Sequence, residues 1–184
     1  MNKLNAIIMV LLLGAGVMAG AETVVIKDAK VHSFGALGTM PEATIVIVDG
    51  EITEIGRQIT VPDGATVIDG AGKVVTPGVF DTASSLGLAE VGAVDATVDN
   101  EQTMGYGPAF RVVDGFNPRS VAITVNRIEG VTRALLVPQP DREGHVLAGT
   151  ASVVNFGSTA AFVEREQAAV VAMLGEAGAR MSGG

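Results

Sequence analysis

The chain of 184 residues has no cysteine, no tryptophan, one tyrosine and only two histidines. Without cysteine it forms no disulfide, no thiolate metal site and no lipid-modified cysteine, so packing alone must hold its fold. Aromatic residues make up 4% of the sequence, too few for the stacking platforms that bind bases or sugars. Positive charge is scarce as well. Twelve Lys and Arg stand against 20 Asp and Glu, a formal net charge of −8, with no basic run and no basic–aromatic interleaving. An acidic surface repels phosphate backbones, which argues against nucleic acid as a partner.

What is abundant is Val, Ile, Leu, Ala and Gly, within a hydrophobic fraction of 48%. The first 21 residues, "MNKLNAIIMVLLLGAGVMAGA", carry Lys3, then an apolar core at 6–13, then Ala19-Gly20-Ala21. That order is the pattern of a secretory signal peptide cut after Ala21, giving a periplasmic or secreted protein. The alternative is a retained anchor, but the apolar run is shorter than the ~20 residues of a spanning helix. Without Lys3 the mature chain has 11 basic and 20 acidic residues, a net charge of −9.

Residues 22–76 read as a β-rich unit, a small sandwich. "ATIVIVDGEITEIGR" is its clearest hairpin, because Asp-Gly tolerates the two positive φ angles of a type I′ turn. Thr66–Asp69 and Lys73–Val75 flank Gly70-Ala71-Gly72 in the same way. From 77 to 184 the pattern changes. Val79–Asp81 reads as a buried strand and 89–114 as a long acidic loop. Asn117 is placed to cap a helix over Pro118–Glu129, with Gly130 at its C′ position. Thr132–Val137 and the segment "HVLAGTASVVNFG" read as strands. "AAFVEREQAAVVAMLGEAGARM" has helix character. The expected class is α/β with a β-rich N-terminus and a parallel βα layout in the second half.

The blocks "VIDGAGKVVTPGVFDTASSLGL" and "DGFNPRSVAITVNRIEGVTRALLVPQ" resemble the amidohydrolase superfamily, and within it the exported, imidazolonepropionase-like members. The resemblance extends over Glu22–Gly184. It implies a small β-sandwich of the urease-α composite type, followed by the first βα units of a metal-dependent (β/α)8 barrel. The barrel is expected to be incomplete, since Gly78–Gly184 supplies 107 residues where a full one takes at least ~200. The resemblance also implies a D-x-H-x-H motif after the proline-glycine pair, its two histidines binding zinc or another divalent ion. Asp81 is present, but Ala83 and Ser85 occupy the ligand positions. Alternate residues on a strand face the same way, which is why histidines so spaced grip one ion. Alanine has no lone pair and a neutral serine hydroxyl is a poor zinc ligand, so no metal or other cofactor is expected for this chain.

The remaining candidates are Asp81, Ser84 and Ser85 at the strand tip, and Asn117 and Arg119 at the helix start. Asp81 is placed either to orient a substrate or to accept from nearby backbone N–H groups. Neither serine has an activating histidine or the glycines of a nucleophile elbow near it. Asn117 and Arg119 lie where helix N–H groups favour anions, though capping and a surface ion pair explain them as well. His32 and His145 are too isolated for a ligand motif, and 90–101 lacks the D-x-D-x-D-G grouping of a calcium loop. Two functions follow. One is an exported relative of hydrolases of C–N bonds, itself without metal-dependent activity. The other is a non-catalytic periplasmic binding or assembly module, whose open barrel edge is covered by another copy or a second chain.

Overall fold

The computed structural model describes residues 22–92, 94–101, 107–140, 145–157, 161–176 and 178. The leader at 1–21 lies outside the described residues. The chain divides into two compact units, with the boundary between Pro77 and Gly78.

The first unit is one mixed sheet of five strands: β1 (Thr23–His32), β2 (Thr39–Val48), β3 (Glu51–Gly56), β4 (Thr66–Asp69) and β5 (Val74–Val75). The expected β2–β3 hairpin forms, with Val48 opposite Glu51 and positive φ at Asp49 (51°) and Gly50 (83°). These angles are those of a type I′ turn, whose twist matches the flanking strands.

All five strands join one hydrogen-bonded sheet. One expectation for this unit fails. The Gly70-Ala71-Gly72 segment closes no hairpin. β4 and β5 lie one after the other along β1, both parallel to it. Between them the chain steps over a bulge at Asp28 (φ 59°). The Gly70 N–H donates to Lys27 O at 2.8 Å, and a Cβ on Gly70 would stand 2.6 Å from that oxygen. Only glycine lets the backbone come so close. The buried side of the sheet gathers Ala29, Val31, Ala43 and Ile45.

The second unit is a four-stranded sheet in the order β6 (Val79–Ser84), β7 (Val131–Leu136), β8 (Leu147–Asn155), β9 (Val163–Ala172). β6 and β7 are parallel and joined through one helix, α1 (Val121–Ile128). Here the βα expectation holds. It fails beyond β7, where β8 and β9 are antiparallel, so among the described residues one crossover stands where a parallel βα layout was expected to continue.

The segment "AAFVEREQAAVVAMLGEAGARM" was expected to be helical, and its stretch Val163–Ala172 instead gives β9. Its Ala and Glu favour helix in isolation, but β8 has an open ladder edge to satisfy, and pairing outweighs propensity. Arg133 donates to Glu164 at 2.8 Å and Arg111 to Glu166 at 3.0 Å, pinning β9 in register.

The core of this unit combines Ile123 of α1, Ala134 and Leu136 of β7, and Val154 and Phe156 of or beside β8. Leu88 and Val112 complete it from the long connection between β6 and α1. That acidic stretch is irregular, as its lack of periodicity implies, yet it is anchored. It contains short 3-10 turns at Asp95–Thr97, Gly107–Ala109 and Val112–Gly115. Leu88 O accepts from Asp99 N–H, and Asn100 O from Gln139 N–H, both at 2.6 Å.

Candidate functional site

β6 ends at the place where the sequence puts its candidate residues. Between Asp81 and Ser84 the pairing with β7 slips by one residue, since Asp81 faces Ala134 while Ser84 faces Leu136. This bulge turns Ser84 inward, 4% exposed, and leaves Ala83 and Ser85 exposed on either side of it. The inward Ser84 is structural. Its Oγ accepts from Leu86 N–H at 3.2 Å and its carbonyl accepts from Val137 N–H at 3.1 Å. Asp81 also acts locally, with Oδ1 accepting from Ala83 N–H at 3.2 Å. The Ser85 carbonyl accepts from Leu88 and Ala89, starting the turn that leaves the strand.

Asn117 does not cap the helix. The N-cap residue of α1 is Ser120. Asn117 lies three residues earlier, its Oδ1 accepting from the Arg119 backbone N–H at 3.0 Å, an Asx turn that leads the chain into the helix. At the other end the glycine expectation holds, with Gly130 following the C-cap Glu129 at φ 93°.

One residue at the tip was missed by sequence reasoning as an individual. Glu90, read there as part of an acidic loop, accepts from Asn117 Nδ2 at 2.9 Å through Oε1 and from Ser120 Oγ at 3.0 Å through Oε2. Asn117 N–H donates in addition to Gly87 O at 2.7 Å. The loop after β6 is thereby stapled to the start of α1. Among the described residues this brings Asn117 to the β6 loop, while no hydrogen bond joins Asp81, Ser85 and Arg119 to one another.

A cleft of about 470 Å³ opens elsewhere in this unit, with Asp99, Glu101 and Asp114 on its walls beside Phe110 and Arg111. The Arg111 guanidinium binds Asp114 at 3.3 Å and Glu166 at 3.0 Å, and among the described residues its buried Nε has no hydrogen-bond partner. Of the histidines, His32 Nδ1 bonds Thr39 Oγ1 at 2.8 Å and its ring stacks on Phe34. Among the described residues no group of three or more His, Cys, Asp or Glu is arranged to hold a metal ion. The donor set at 81, 83 and 85 does not fit zinc either, being one carboxylate already accepting a backbone N–H, a methyl group and a neutral hydroxyl.

No protein-family model matches the sequence, and no curated protein matches it significantly. Solved structures do. The chain is similar to an amidohydrolase from Thermotoga maritima MSB8, at 28% identity and a TM-score of 0.72, over 87% of this chain and 41% of that one. It thus spans about two fifths of that protein's length. Shorter overlaps occur with a molinate hydrolase (32% identity, TM-score 0.31, 36% of this chain and 15% of the other). A prolidase complexed with N-methylphosphonate-L-proline gives 24% identity and a TM-score of 0.43, over 66% of this chain and 26% of the other. The fold of this chain is therefore one found in amidohydrolases, and the weight of that statement rests on the Thermotoga protein.

Proposed function

We propose that the chain is an amidohydrolase-related protein of the exported, imidazolonepropionase-like kind, descended from hydrolases of C–N bonds, and that it does not itself carry out metal-activated hydrolysis. The observation that carries the relationship is the likeness to the Thermotoga amidohydrolase over 87% of the chain. The loss of activity rests on the chemistry of the β6 tip. A hydrolase of this type needs a bound ion to turn water into a nucleophile near neutral pH, and Ala83 and Ser85 stand where the resembling family carries its two histidines. Asp81 and Asn117 then serve the fold, one holding the strand end and the other the loop before α1.

Export is part of the same reading and is supported by the Lys3, apolar-core and Ala19-Gly20-Ala21 pattern. The intact mass and N-terminal sequence of the protein recovered from a periplasmic fraction test it, with Glu22 as the expected first residue. An N-terminus at Met1 overturns it. Catalysis is tested by incubating the purified chain with zinc, removing free metal, and assaying cyclic amides and dipeptides. The expected result is no zinc-dependent turnover.

The second reading, a non-catalytic binding or assembly module, is favoured by Val79 and Phe80, both exposed on β6 at the outer edge of the sheet. Such an edge offers unpaired backbone groups to another strand.

A further inference from the structure

We propose that the outer face of α1 is a self-association surface, pairing antiparallel with the same helix of a second copy of this chain about a two-fold axis at Val125. The inference stands apart from the catalytic reading and does not depend on it. α1 turns Ile123 into the core, and on the opposite side it presents Val121, Val125 and Ile128, which are 73%, 56% and 80% exposed. Their spacing of four and then three residues is that of the d-a-d seam of a coiled coil. A helix side turned to water ordinarily carries polar residues. Three β-branched side chains there contribute nothing to helix propensity and leave apolar surface in solvent.

Several features favour a second copy as the occupant. The stripe is self-complementary: with the two-fold at Val125, Val121 of one copy meets the Ile128 region of the other. The charges at its ends are opposite. Arg119 precedes the helix and Glu129 follows it, both are exposed, and neither is in an ion pair among the described residues. Antiparallel packing brings each Arg119 towards the other copy's Glu129 and sets the helix dipoles head to tail.

The strength is bounded by area. Three side chains so exposed offer roughly 300 Å² per copy, against about 800 Å² in a stable interface. The dimer is therefore weak and its population depends on concentration.

Sedimentation equilibrium between about 10 µM and 1 mM tests for such an association. The expected result is a concentration-dependent rise in mass towards a dimer, removed by Val125→Asp with the circular dichroism spectrum unchanged. Arg119→Glu weakens association, and adding Glu129→Arg to it restores association. The absence of cysteine provides a second readout that needs no loss of folding. Val125→Cys places a single thiol at the axis, within disulfide reach of its counterpart. It should cross-link at least about tenfold faster than Val170→Cys, an exposed site on β9, because pairing raises its effective concentration. A monomer at every concentration overturns the proposal. So does a dimer that persists in Val125→Asp, or equal cross-linking at the two sites.

Discussion

Glu90 ties the loop after β6 to the start of α1 with one carboxylate, and its loss has a definite cost. In Glu90→Ala the Ser120 hydroxyl, 2% exposed, loses its acceptor, and Asn117 loses the partner of its amide. Leaving a buried hydroxyl unpaired costs about 1 kcal/mol. In a unit of this size that lowers the melting temperature by roughly 4–8 °C, measurable by thermal circular dichroism; an unchanged transition would show the staple to be idle. Gly87→Ala tests the same loop through its backbone. Gly87 has φ 76°, and a Cβ there would stand 2.7 Å from the Phe116 ring and 2.8 Å from Asn117 O. Strain and overpacking together give an expected loss of about 2–4 kcal/mol in a urea titration. These residues show what a sequence reveals at this scale. Asp81 accepts a local backbone N–H, one of the two roles its position allowed. Glu90 was hidden because its partners are 27 and 30 positions away, a distance no local pattern spans.

The elements were legible where local chemistry decides and illegible where pairing does. Asp49-Gly50 admits one tight turn, and Gly130 ends α1, so the hairpin and the helix end were both readable. β9 was not, because the residues that hold it, Arg133, Arg111 and the open edge of β8, lie on other elements. The Gly70 step was misread for a related reason: the same glycines that close a hairpin also let a strand pass over a bulge. Leu88 and Val112 belong to no regular strand or α-helix, yet both are fully or almost fully buried in the core with Phe156. Phe156→Ala removes the largest of those buried side chains and should destabilise the second unit by about 3–5 kcal/mol. Chemical denaturation followed by circular dichroism measures this, and a loss below about 1 kcal/mol would mean that the cluster is not the core.

At the scale of the whole molecule, the chain joins a fold shared with an amidohydrolase to a strand tip that carries Asp81, Ala83 and Ser85. The likeness to an amidohydrolase fold was anticipated from the segments flanking the Pro77-Gly78 boundary. The incomplete barrel was an extrapolation from it, and the antiparallel β8 and β9 replace the parallel continuation it required. Metal chemistry at the tip is the central question, and one measurement addresses it most directly. The purified 184-residue chain is loaded with excess zinc, dialysed, and analysed for bound metal alongside hydrolysis of cyclic amide substrates. The account predicts substoichiometric zinc and no zinc-dependent turnover, since Asp81, Ala83 and Ser85 supply too few ligands. Retention of about one zinc per chain, together with hydrolysis that disappears on chelation, would contradict it.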